Sequence, residues 1–194
     1  MPTGSQIKAN EIRWYALQVK SRAEKMVGAR LSELGFDVCV PTQKQLRVWS
    51  DRKKLVDVVL FSNYVFVATD HYRKNEVFQV GNIFKYVQFG GKIATLTAEE
   101  VALVKRLSRV TENVQISYES FAPGDEVEIV AGSLAGFRGR VTAVNGASRI
   151  QLALPSLYCF ANVEVKGADV RRVDTVNKYI YNGNHGNHID TQVH

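Results

Sequence analysis

The chain has 194 residues, 45% of them hydrophobic, and a formal net charge of +6. That length suits one large domain or two small ones with at least one true core. No run approaches the ~18 apolar residues needed to span a bilayer, and the opening MPTGSQIKAN lacks the apolar segment of a signal peptide. A soluble, cytoplasmic, non-exported monomer is expected. Cys39 and Cys159 stand far apart without a neighbouring His or second Cys, and read as reduced core or edge residues.

Charge divides the chain. Glu11 to Arg106 holds 16 Lys/Arg against 10 Asp/Glu, whereas Phe121 to Asp174 holds six of each. Any electrostatic attraction to nucleic acid therefore belongs to the first half.

Residues 1–12 have turn-formers and no pattern, as in a frayed terminus. Trp14 to Val19 reads as a strand. Ser21-Arg22-Ala23-Glu24 has the spacing of a capping box, Ala23, Val27, Leu31 and Leu34 follow at helical spacing, and Gly35 is placed to end a helix over residues 22–34. Phe36 to Val40 is a short strand stopped by Pro41. Gln43 to Trp49 and Leu55 to Val59 flank a charged tip, Ser50 to Lys54, which predicts a hairpin.

Leu60-Phe61-Ser62-Asn63-Tyr64-Val65-Phe66-Val67 is the most aromatic and apolar run. As a continuous strand it would send Phe61, Asn63, Val65 and Val67 one way, and Leu60, Tyr64 and Phe66 the other. Neither face is polar, so the strand is either buried twice by its own domain or kept for a partner. Residues 71–80 suit a short helix, and Tyr86 to Phe89 with Gly90-Gly91 a strand and turn. Thr97-Ala98-Glu99-Glu100 is a second capping box, stapled by Leu96 and Val101, and opens a helix through Val104 and Leu107.

Periodicity is lost over residues 108–120, which read as a linker. Five short glycine-punctuated strands follow: Glu126 to Val130, Phe137 to Val144, Ile150 to Leu154, Phe160 to Val165 and Val170 to Val173. They predict a small all-β barrel. The tail from Asn177 is polar and of low complexity, as in disordered segments. Domains are thus expected at 13–107 and 121–174, with a linker between them and a disordered tail at 175–194. The fold class is an α+β N-terminal domain, an antiparallel sheet with flanking helices, followed by a five-stranded barrel.

Little here suggests catalysis or a cofactor. Gly132, Gly136 and Gly139 do not match a phosphate loop and read as structural glycines. His71 has no nucleophile or paired carboxylate beside it. His185 and His188, with His194 nearby, lack a rigid element or further ligands for a metal.

Trp14-Tyr15-Ala16-Leu17, the first predicted helix, and Phe61 to Val67 together resemble the N-terminal domain of NusG-type transcription factors, whose signature runs F-P-G/N-Y-V/L-x-V. Gly124 to Ile129, then Gly132, Gly136, Gly139 and Arg140-Val141, resemble the KOW motif that follows in that family. The sequence departs at Ser62, where the family carries proline. Val48 to Lys54 with Phe61 to Tyr64 looks most like the UpxY group, specialised antiterminators of long surface-polysaccharide operons, to which RfaH is a functional cousin.

The resemblance implies a non-enzymatic elongation or antitermination factor without cofactor. Tyr64, Phe66, Leu60 and Trp14 would bind the RNA polymerase clamp. Lys44, Arg47, Trp49, Arg52, Lys53 and Lys54 would lie near DNA or nascent RNA at the transcription bubble. Leu157, Tyr158 and Phe160 would meet a ribosomal protein or Rho. The residues themselves leave alternatives open: Tyr64, Phe66 and Phe160 also suit a core, the basic tip a solvated turn, and Trp49 packing under the hairpin. A ribosome-associated or general RNA-binding KOW protein is the alternative function, against which the neutral second half speaks.

Overall fold

The computed structural model describes residues 11–48, 52–110, 113–118, 124–144, 147–165 and 169–173. The N-terminal sheet is antiparallel throughout. Its strands are β1 (Arg13–Val19), β2 (Asp37–Cys39), β5 (Tyr64–Thr69), β6 (Ile83–Tyr86) and β9 (Thr95–Leu96), in the order β2-β5-β1-β6 with β9 also on β1. Two short hairpins leave this sheet: β3 (Thr42–Val48) with β4 (Lys53–Val59), and β7 (Gln88–Phe89) with β8 (Lys92–Ile93).

Alternation along β1 and β5 builds two cores on opposite faces. Tyr15, Leu17, Val19, Val65 and Val67 pack with Val27 and Leu31 of helix α1 (Glu24–Glu33) and with Val77 and Val80 of a 3-10 helix at Arg73–Val80. Trp14, Ala16, Tyr64 and Phe66 face the other way, toward Leu103, Val104 and Leu107 of helix α2 (Ala98–Leu107).

Two local expectations change. Ser21 and Glu24 do not form a capping box: α1 has no side-chain cap, Arg22 takes a φ of 65°, and the buried Glu24 carboxylate instead accepts the Asn63 N–H at 2.7 Å. Phe61 does not share the face of Val65 and Val67. It precedes the strand, in a turn closed by Tyr64 N–H donating to the Phe61 carbonyl, and packs edge to face on Phe66 with centroids 5.1 Å apart. Alternation could not predict this because the chain is not extended there.

Residues 108–120 are not all linker. Within them β10 (Val114–Ser117) pairs with β14 (Cys159–Glu164). The second sheet therefore has six strands, with order β10-β14-β13-β12-β11-β15, where β11 is Glu126–Ile129, β12 Arg138–Val144, β13 Ala147–Leu154 and β15 Val170–Arg172. The second half thus forms a β-rich sheet joined by a strand from the connector. Gly139 in β12 faces the sheet interior so closely that a Cβ there would meet the Gln151 carbonyl oxygen at 2.6 Å.

The two sheets do not stand apart. Val127, Ile129, Leu134, Phe137, Ile150, Leu152, Leu154, Leu157 and Cys159 are continuous with the α2 side of the N-terminal sheet in a single buried cluster. The N-terminal sheet is covered on one face by α1 and the 3-10 helix, and on the other by α2 and the second domain.

Candidate functional site

The face of the N-terminal sheet under α2 and the second domain brings together Trp14, Leu60, Tyr64 and Phe66. Trp14 is partly buried, with the Lys105 ammonium 4.3 Å over its ring; Leu60 and Tyr64 are partly buried against the same cluster, with Tyr64 paired opposite Gln18, further along the sheet from Trp14. Phe66 is 1% exposed. It is a core residue in this state, covered by α2 and the second sheet. Asn63 takes φ 68° at the third position of the Phe61–Tyr64 turn, a left-handed conformation that Gly and Asn tolerate best. That explains why the signature admits Gly or Asn there. Ser62 sits exposed at the second turn position, where proline is favoured but not required.

What covers this face is held by specific contacts. The Glu100 carboxylate, 5% exposed, accepts the Thr97 N–H at 2.7 Å to close the capping box of α2, whose Thr97 hydroxyl accepts the Glu100 N–H. The same carboxylate accepts the Ser156 N–H and hydroxyl, each at 2.7 Å, from the second domain. Arg106 donates to the Ala135 carbonyl at 3.1 Å and Ser133 to the Arg109 carbonyl at 3.3 Å. Burial first, and then the neighbouring Tyr64, pushes the Tyr118 phenol up to about 12. Buried Gln43, at the base of β3, donates to the Val110 carbonyl and accepts the Val114 N–H, tying the hairpin to the connector. Burial, with Glu100 as a lesser cause, pushes the Cys159 thiol up to about 12; burial likewise lifts Cys39 to about 11.

The residues expected to meet a second partner are divided. Leu157 is 1% exposed, in the shared core, so it presents nothing outward. Tyr158 is 67% exposed, but its ring lies 4.4 Å from that of Phe89 in the N-terminal domain. Phe160 is half-buried and lines an apolar depression with Tyr118, Pro155 and Tyr158. Sequence reasoning missed Glu100, Ser156, Gln43 and Phe89 as interdomain residues. Only the capping box flagged Glu100, and a cap motif carries no sign of a second acceptor role.

The basic hairpin residues do not form one surface. Lys44, Lys53 and Lys54 are exposed, and pairing sets Lys44 opposite Asp57, Val48 opposite Lys53 and Arg47 opposite Lys54. Lys53 and Lys54 thus lie on opposite faces of the ribbon. Arg52 is exposed at the start of β4. Trp49, the side chain of Arg47, the N-terminal residues 1–10 and the tail with His185, His188 and His194 lie outside the described residues. Among the described residues no cluster of three His, Cys, Asp or Glu side chains could hold a metal, and no helix is long and apolar enough to cross a membrane.

Comparison with known proteins bears on this arrangement. Residues 12–105 match the family described as transcription termination factor nusG. The chain is 28% identical over 153 residues to the transcription termination/antitermination protein NusG of Thermus thermophilus, covering 69% of this chain and 83% of that protein. Its fold is similar, at TM-score 0.53 and 20% identity, to a solved structure described as domain interaction in Thermotoga maritima NusG, covering 86% of this chain and 99% of the other. NusG-family proteins are non-enzymatic transcription factors. The first half of the chain is thus similar in sequence to that family, and the chain is similar in fold to the Thermotoga protein.

Proposed function

We propose that this protein is a transcription elongation and antitermination factor that binds the RNA polymerase clamp through the sheet face of Trp14, Leu60 and Tyr64. The observation that carries the reading is that these residues, in the family-matched region, pack against one apolar cluster whose cover is the second sheet, tied to helix α2 by the Glu100–Ser156 contact. In the docked state this face is occupied, so binding polymerase through it requires the second domain to leave. Polymerase then acts as a ligand that favours the open state by its differential affinity, and ~1.4 kcal/mol of preference for the elongating form shifts a pause equilibrium tenfold.

Arg52 and Lys54 are assigned to screen phosphates near the bubble, a contact that weakens steeply with salt. Long operons such as surface-polysaccharide loci are the proposed targets, on the resemblance of Val48 to Lys54 and Phe61 to Tyr64 to the UpxY group. The released second domain would offer Phe160 and Tyr158 to a ribosomal protein or Rho.

A defined transcription assay on a template with a long operon leader tests this. The full chain raises read-through, and Ser156→Asp, which sets a second carboxylate against Glu100, raises it further by favouring the open state. If neither protein binds polymerase nor alters pausing or termination, the reading falls.

A further inference from the structure

The β3–β4 hairpin has a face that the second domain leaves open. Cross-strand pairing sets Lys44 opposite Asp57, Leu46 opposite Leu55 and Val48 opposite Lys53, and directly opposed residues of an antiparallel ribbon share a face. Leu46, Val48 and Leu55 are 61%, 65% and 55% exposed, with Lys44, Lys53 and Asp57 exposed around them. On the reverse face Gln43 is buried and Gln45, Val56 and Val58 are half-buried. The Lys25 ammonium also holds the Asp57 carbonyl at 2.8 Å. The ribbon is therefore seated, and its outward aliphatic residues form a fixed surface where polar residues would ordinarily meet water.

Three features select an occupant. Leucine and valine have no π-face on which an unpaired base could stack, so they suit aliphatic side chains. Two lysines at opposite ends of the face against one aspartate favour carboxylates at the margin of the partner. Three exposed aliphatic side chains also fall short of the roughly 20–30 residues, about 800 Å², that each partner contributes to a stable pair. It suits a partner already held elsewhere on the chain, for which a second contact is effectively intramolecular.

We infer that the outer face of β3–β4 docks an aliphatic, carboxylate-flanked segment of the same RNA polymerase that the sheet face binds, and that it does so while the second domain still covers that sheet face. This rests on the polymerase reading above. The hairpin makes the first contact, and the sheet face the second, after the cover has left.

The test titrates the full chain onto RNA polymerase core enzyme, both bare and assembled on a DNA–RNA scaffold. The variants are Leu46→Glu with Leu55→Glu, and Ser156→Asp. The paired glutamates, at exposed positions, leave the thermal unfolding midpoint unchanged and weaken binding to bare enzyme about tenfold. If the glutamates disturb the fold, Leu46→Ser with Leu55→Ser is read in the same way. Equal binding of hairpin variant and wild type to bare enzyme overturns the inference. So does a loss seen only on the scaffold, which would make the occupant nucleic acid, or a wild-type dimer dissolved by the paired substitution, which would make it a second copy. If neither wild type nor Ser156→Asp binds polymerase in either form, it is the underlying polymerase reading that fails.

Discussion

At the residue scale, Asn63, Gly139 and Cys159 each tie one side chain, or its absence, to a measurable consequence. The Phe61–Tyr64 turn, with positive φ at its third position, suits proline at its second. Ser62→Pro should stabilise the protein by about 0.4–1 kcal/mol, chiefly by restricting the unfolded chain; a lower denaturation midpoint would mean that the backbone at Ser62 does not accept the ring. Gly139→Ala forces a methyl against the Gln151 carbonyl and the Ile150 side chain and should cost about 1–3 kcal/mol in chemical denaturation. Cys159 has a thiol value of 9.0 when unperturbed and about 12 in the fold. The neutral thiol is thus favoured by folding. Its contribution is complete below pH 9 and is lost as pH rises toward 12, because the unfolded chain ionises first. Unfolding midpoints measured across that range should fall, and Cys159→Ala should flatten the decline.

At the scale of elements, α2 begins the docking. Its capping box spends one carboxylate on both the helix terminus and the Ser156 contact, so the start of a helix and the seat of a domain depend on a single side chain. Glu100→Ala should lose about 1 kcal/mol from the cap alone and release Ser156 as well. A double-mutant cycle with Ser156→Ala separates the two effects, with an expected coupling of about 0.5–3 kcal/mol. A coupling indistinguishable from zero would show that the contact does not hold the domain. Helix α1 shows the converse: its sequence had the same box spacing, but the left-handed backbone of Arg22 and the demand of the Asn63 N–H redirect Glu24 to a tertiary role.

At the scale of the whole molecule, one sheet face serves as a domain seat and as the proposed polymerase site. Phe66→Ala should therefore cost about 3–5 kcal/mol as a core truncation, whereas Tyr64→Ala, at a half-buried position, should loosen the second domain and weaken polymerase binding with a smaller loss of stability. Thermal unfolding and polymerase pull-down of the two variants side by side check this contrast.

The sequence by itself determined what depends on neighbours along the chain: the alternation that splits Tyr64 and Phe66 from Val65 and Val67, the cap of α2, the hairpin between Gln43 and Val59, five of the six strands of the second sheet, and a NusG likeness carried by short motifs. Tertiary structure decided what depends on contacts between distant segments. Phe61 left its expected face because a turn precedes the strand. Val114–Ser117 became a strand because β14 offered an edge. Leu157 and Phe66 were buried because two apolar surfaces, each legible alone, closed on one another. Local periodicity records which side of an element avoids water, but it does not record which distant surface removes that water.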